Sequence, residues 1–380
     1  MSVKPSLSPT NDPWLLTPGP LTTSPTVKQA MLHDFGSRDH GFIAVNKRMR
    51  ERLIEIVGGQ GTHVAVPLQG SGTFVVEAMV STFLPASGKL LVLVNGAYGR
   101  RLVKLCDVAG HAHAALEWAE DQPVDAGKVE AALAADQSIT HVAVVHCETT
   151  SGVLNPVKAV AEVVQRQGRR LLIDAMSAFG AIPLDARRVP FDALAASANK
   201  CLEGVPGVGF AIIRREALED ARGQASSLSL DLYDQWAAME KNGQWRFTPP
   251  THVLAALDRA LDQHAAEGGV AGRGARYRRN CALLVEGLRG MGFETLLPDR
   301  LQAPVIVTVR MPADPKFHFE TFYDRLAQRG YVIYPGKLTA ADSFRVGCIG
   351  ALGEAEMRGA LHAIRDVVAE LGVTSCSPRG

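Results

Sequence analysis

A lysine placed just after an apolar strand is the first residue here whose position could do chemistry. Ser197-Ala198-Asn199-Lys200 closes an Ala-rich run and precedes a Gly-rich turn, Glu203-Gly204-Val205-Pro206-Gly207. At the carboxyl end of a buried strand such a side chain points into the crevice where α/β folds bind ligands. Desolvation there lowers an amine's pKa and frees its lone pair for Schiff-base chemistry. An edge lysine in an ordinary loop would show the same local pattern. Asp174 ends a second apolar run, Leu171-Leu172-Ile173-Asp174. A carboxylate in that position needs a cationic partner to stay ionised, and a pyridinium N–H would serve. Keeping such a nitrogen protonated turns pyridoxal phosphate into an electron sink. A helix N-cap is the simpler reading of the same aspartate.

Four more segments have chemical content. Gln69-Gly70-Ser71-Gly72-Thr73 follows the run HVAVPL and opens a helix, so its backbone N–H groups and hydroxyls suit an anion. The third glycine of a dinucleotide fingerprint is missing, Val75 standing there, and a single phosphate fits better. Tyr98, in Asn95-Gly96-Ala97-Tyr98-Gly99, offers a ring for stacking on a flat ligand. His146-Cys147-Glu148-Thr149-Thr150-Ser151-Gly152 clusters hydroxyls and a carboxylate, which also read as capping groups. Arg345 lies inside the apolar run Ser343-Phe344-Arg345-Val346-Gly347. Its guanidinium needs an anion, either a ligand carboxylate held bidentately or a structural Asp or Glu.

The elements that must position these residues alternate along the chain. Apolar runs beginning at 63, 89, 141, 170 and 208 are separated by helix-length amphipathic segments, the pattern of a parallel sheet buried on both faces. Residues 42–57 place Phe42, Val45, Met49, Leu53 and Ile56 on one helical face. A polar stretch from Gly223 to Thr251 breaks the rhythm, and a helix follows over Val253–Glu267. The arginines of GGVAGRGARYRR read as a solvated helix face. From Pro304 a strand–helix–strand–strand–helix pattern gives a smaller α+β domain. Pro, Ser and Thr in the first dozen residues read as a flexible arm.

The chain has 380 residues, 47% hydrophobic and 21% charged, enough for a large core. Forty Lys+Arg against thirty-nine Asp+Glu leave a formal charge of +1, so no bulk field favours nucleic acid or an anionic membrane. Six cysteines without CxxC spacing suggest neither a metal site nor a disulfide framework, and reduced thiols in the cytoplasm are expected. The N-terminus lacks an apolar h-region, and runs such as Leu90–Val94 are too short to span a bilayer.

An anion-binding turn, an aromatic, a hydroxyl loop, a strand-end Asp and a strand-end Lys occur in this order, and the sequence resembles the class V aminotransferases of pyridoxal-phosphate fold-type I. The resemblance rests on LLTPGPLTTSPTVKQAML, LQGSGTFVVEA, VNGAYGRR, VVHCETTSGVLNP, LLIDAMSAFG, SANKCLEGVPG, LSLDLYDQW, WRFTPPTH, VIYPGK and FRVGCIG, running from about residue 15 to about 350. LSLDLYDQW, WRFTPPTH and VIYPGK are similar to the branch that moves the amino group of 2-aminoethylphosphonate to pyruvate. The implied fold is α/β, with a mostly parallel central sheet flanked by helices. The implied layout is an N-terminal arm over 1–20, a large cofactor-binding domain over 21–268 and a small C-terminal domain over 269–380, to which the arm contributes.

The resemblance further implies that Lys200 bonds pyridoxal 5'-phosphate and shuttles a proton, Asp174 pairs with the ring nitrogen and Tyr98 stacks on the ring. Ser71, Gly72 and Thr73 would hold the phosphate, with Asn199 near it and Ser151 near the ring hydroxyl. Thr248 would reach the phosphate of the neighbouring subunit's cofactor, implying a homodimer with shared sites. Arg345 would take the carboxylate of pyruvate. One loop departs from the family's pattern: Phe35-Gly36-Ser37-Arg38-Asp39-His40-Gly41-Phe42 replaces an aromatic followed by acidic residues. Arg38 there contacts the phosphonate, marks a different amine, or is plain solvated surface. The competing activities are a class V transaminase of the alanine–glyoxylate or serine–pyruvate kind, one acting on a related aminophosphonate, and a cofactor-dependent lyase or desulfurase.

Overall fold

The apolar runs pair side by side because each is buried on both faces and must satisfy its backbone through its neighbours. In the computed structural model, which describes residues 5–378, seven strands form the central sheet. They are β1 (His63–Gln69), β2 (Lys89–Val94), β3 (Ala112–Glu117), β4 (His141–Val145), β5 (Arg170–Asp174), β6 (Ala193–Ser197) and β7 (Val208–Arg214). Their spatial order is β1-β7-β6-β5-β4-β2-β3, and β7 alone among them runs antiparallel to its neighbours. Alternate side chains pack in opposite layers. Val142, Val144, Leu171 and Ile173 join one core, while Ala143, Val145 and Leu172 join the other.

Edge strand β1 carries Pro67, which an edge tolerates. The polar stretch supplies its cover: a helix, Leu232–Asn242, forms within it. Asp231 caps that helix by accepting from the Asp234 N–H at 3.0 Å, and Gln235 donates to the Pro67 carbonyl at 3.2 Å. The helix His40–Ile56 buries Phe42, Met49 and Leu53 of the expected face and adds Asn46, while Val45 and Ile56 are half-buried.

A three-stranded antiparallel sheet of Ile306–Arg310, Ser343–Gly347 and Tyr334–Pro335 has a separate core with the helices Gly269–Gly290, Phe319–Gln328 and Glu354–Glu370. The described part of the N-terminal segment is docked there rather than free. Ser6 donates its N–H to Arg329 O at 2.9 Å, and Trp14–Leu15 pairs in parallel with Tyr331–Val332. Residues 1–4 of the expected arm and 379–380 of the expected small domain lie outside the described residues.

The solvated-face reading of GGVAGRGARYRR holds for Arg278 and Arg279, which are exposed, and needs correction for Arg273 and Arg276. Arg273 is 1% exposed and ion-paired to Glu267 at 2.5 Å, while Arg276 reaches Glu203 and Glu267, each at 2.7 Å. Arg273 also donates to the carbonyl of Cys201 at 2.6 Å, so this network buttresses the loop that follows Lys200. No described helix is long and apolar enough to cross a membrane.

Candidate active site

Register brings the strand ends level. Val145 opposes Asp174, and Asp174 opposes Ala195, so the carboxyl ends of β4, β5 and β6 open onto one crevice. A cavity of about 200 Å³ lies there. Of the residues singled out in the sequence, Ser71, Gly72, Thr73, Tyr98, Asp174, Asn199 and Lys200 line it.

Lys200 Nζ donates to the carbonyl of Pro18 at 2.7 Å and more distantly to that of Gly19 at 3.4 Å. Burial pushes its pKa below the usual lysine value, against opposing pull from Tyr98, Cys201 and Asp174. Asp174 is buried, and desolvation raises its pKa to about 6 although the Met176 N–H, Arg101 and Lys200 oppose the rise. Its Oδ1 accepts the Met176 N–H at 3.0 Å, while Oδ2 accepts nothing among the described residues. An acceptor aimed into a cavity at the foot of the sheet suits a ring N–H.

The helix Gly72–Phe83 begins at the cavity wall. The N–H groups of Ser71, Gly72 and Thr73 donate to nothing among the described residues, leaving them for an anion at the positive end of the helix. A Cβ on Gly72 would come within 2.5 Å of Met176 Sδ, so a larger residue there would have to push that side chain aside. Three free donors, an unclaimed carboxylate oxygen, an aromatic ring and a desolvated amine together fit a flat phosphorylated pyridine aldehyde.

Tyr98 is set in place by a residue read only as part of a loop. Glu148, fully buried, accepts the N–H groups of Tyr98 at 3.2 Å and Gly99 at 3.4 Å through Oε2. Its Oε1 accepts the Thr150 hydroxyl at 2.6 Å. It thus closes the N-terminus of the helix Ala97–Ala109 and fixes where the tyrosine stands. Burial opposes ionisation of the Tyr98 phenol, but the charge of Lys200, a hydrogen bond with Thr149 and the charges of Lys337 and Arg345 lower its pKa overall. Arg101 is a second residue the sequence reading passed over. It lines the cavity, donates to Thr73 Oγ1 at 3.1 Å and lies 4.9 Å from the Tyr98 ring centre.

Arg345 is 1% exposed. Its Nε donates to Pro335 O at 3.0 Å and its Nη1 to Thr149 O at 2.9 Å, while Nη2 donates to nothing among the described residues. No described carboxylate lies within 4.0 Å of this guanidinium, so the structural ion pair that would have explained it is not found. Ser151 is fully buried outside the cavity lining, its Oγ without a partner. Arg38 and Thr248 are exposed and do not line the cavity of their own chain.

Residues 37–346 match the family described as Aminotransferase class-V. A 2-aminoethylphosphonate–pyruvate transaminase of Cupriavidus necator is 55% identical over 368 residues, spanning 97% of this chain and 98% of that protein. Its counterpart in Pseudomonas aeruginosa is 54% identical over 361 residues, spanning 95% and 97%. Among solved structures, ureidoglycine-glyoxylate aminotransferase of Bacillus subtilis superposes with a TM-score of 0.88 at 22% identity, over 98% of this chain and 96% of that one. Pyridoxamine-pyruvate aminotransferase of Mesorhizobium loti gives 0.86 at 23%, over 96% and 94%. At such identities these two likenesses speak for the fold.

Proposed function

Because the chain belongs to the class V aminotransferases, we propose that it moves the amino group of 2-aminoethylphosphonate to pyruvate, leaving phosphonoacetaldehyde and L-alanine. It is a pyridoxal-phosphate-dependent transaminase of fold-type I. When bound, pyridoxal phosphate supplies the aldehyde that takes up the amino group and a ring that delocalises the electron pair left on the substrate carbon.

The protein's own groups do the rest. Ser71, Gly72 and Thr73 bind the phosphate through free N–H groups and hydroxyls, with Asn199 beside them. Asp174 Oδ2 would accept from the ring nitrogen, and Tyr98 would flank the ring. Lys200 Nζ, its pKa lowered by burial, would hold the cofactor before substrate arrives and, once released as a free amine, would take and return the proton at the substrate carbon. Arg345 binds the pyruvate carboxylate through the donors its backbone contacts leave over.

The observation that carries the substrate side of this reading is Arg345: a buried guanidinium beside the tyrosine with no described carboxylate to neutralise it. A buried charge without a partner is costly unless a ligand supplies one. A homodimer is part of the proposal, with Thr248 reaching the phosphate of the neighbouring subunit's cofactor and Arg38 at the entrance, while Ser151 lies behind the cavity lining on the ring-hydroxyl side. The division into an arm, a large and a small domain, and a cytoplasmic setting, belong to the same reading.

A visible spectrum tests it. Adding 2-aminoethylphosphonate without any keto acid should remove the absorbance of the lysine-bound cofactor, and pyruvate should restore it. A spectrum indifferent to this amine would leave the family standing and reject the donor.

A further inference from the structure

Arg345 supplies one positive charge, which matches a carboxylate. A phosphonate carries up to two negative charges and has three oxygens to satisfy, so the same anchor leaves part of it unmet. Arg101 is committed elsewhere, bonded to Thr73 at the helix end that receives the cofactor phosphate. The remaining cation near Tyr98 is Lys337. Its Nζ lies 5.3 Å from the Tyr98 ring centre, and it makes no ion pair with any described carboxylate.

The backbone puts Lys337 next to Arg345. Tyr334 and Arg345 are paired across strands, and Arg345 donates to the carbonyl of Pro335, two residues before the lysine. The loop is pinned on both sides of Lys337: Gly336 N–H donates to Ser343 O at 2.9 Å, and Thr339 N–H donates to Glu120 Oε2 at 2.8 Å. The main chain on both sides of Lys337 is therefore held, and its exposed side chain already reaches the ring of Tyr98, which lines the cavity. We propose that Lys337 is the specificity residue for the phosphonate, contacting this group together with Arg345 and contributing little when a carboxylate takes its place. This rests on the transaminase reading above and names the group that lets one site accept both anions.

The test compares Lys337→Gln and Lys337→Arg with the parent holoenzyme. Two half-reactions are followed by the cofactor spectrum, one with 2-aminoethylphosphonate and one with L-alanine. Binding of ethylphosphonate and of propionate, which carry the anions without an amine, is measured by calorimetry. Lys337→Gln should weaken ethylphosphonate and raise the half-saturating 2-aminoethylphosphonate concentration about ten-fold, the loss of one charge-assisted hydrogen bond, with alanine and propionate nearly unchanged. Lys337→Arg should restore most of the phosphonate affinity. Equal losses for phosphonate and carboxylate would overturn the proposal, as would an unchanged ethylphosphonate affinity. A parent enzyme inert to 2-aminoethylphosphonate would instead reject the proposed donor, and the ethylphosphonate comparison would still decide the role of Lys337.

Discussion

Replacing Gly19 by alanine should slow the enzyme far more than it destabilises it. Gly19 has φ +114°, and a Cβ built there lies 2.6 Å from Lys200 Cδ, 2.8 Å from Asn199 O and 3.0 Å from Lys200 Nζ. Ordinary contact begins at 3.4 Å, so the lysine must give way by about 0.8 Å at Cδ. The Asn199 carbonyl is main chain and yields less. A displacement of about 1 Å at a reacting group costs about 10²-fold in rate, and that is the loss expected in the amine half-reaction. The positive φ adds strain of about 1–3 kcal/mol to the fold. Gly61→Ala provides the control, since Gly61 has φ +80° with nothing within 4 Å of a Cβ. Both variants should melt earlier, and only Gly19→Ala should lose rate when followed by the cofactor spectrum in a single turnover. A Gly19→Ala enzyme as fast as Gly61→Ala would refute the claim that this close approach positions the lysine.

Three further outcomes follow from the site. Lys200→Ala should lose the absorbance of the lysine-bound cofactor and at least about 10³-fold in turnover, checked by spectrum and alanine formation. Arg345→Ala should raise the half-saturating pyruvate concentration by about 10²-fold, as expected for two charge-assisted hydrogen bonds lost, and should harm the phosphonate half-reaction less. Asp174 makes the cofactor-free protein pH-sensitive: its carboxyl is raised from 3.8 to about 6, so the folded state holds this proton more tightly than the unfolded chain does. The stability it lends is fully present below 3.8 and is lost as pH rises through about 6. Urea titrations of the cofactor-free protein at both ends of that window should show a fall that Asp174→Asn lacks, on the order of 3 kcal/mol.

Strand ends were legible because their signals are local. An unbroken apolar run buried on both faces says where a strand stops, and Asp174 and Lys200 each stand at such a stop. What escaped depended on partners far along the chain. Glu148 acts on Tyr98 from 50 residues away, and the carboxylates that pair with Arg273 and Arg276 are Glu267, just before their helix, and Glu203, some 70 residues earlier. An Arg-rich helix with its carboxylates elsewhere reads as a wet face. Arg101 stands one turn from Tyr98 on the same helix, yet nothing in the local pattern separates it from its neighbour Arg100, which pairs with Glu120 instead. The helix Leu232–Asn242 was hidden for another reason: its buried face, Leu232, Trp236 and Met239 with Gln235 beside them, is a short stripe inside a stretch whose Ser, Gly and Pro residues read as loop.

The segment from Trp14 to Gly19 belongs to both halves of the molecule at once. Its first residues are a strand of the C-terminal unit, Leu16 exchanges hydrogen bonds with Val332 and Gly347, and three residues later its carbonyls hold Lys200. Gly347 ends the strand that carries Arg345. The arginine and the lysine are thus tethered through one short, hydrogen-bonded leash. The spacing between the guanidinium and the amine is set by the same six residues that join the sheet of the one unit to the crevice of the other.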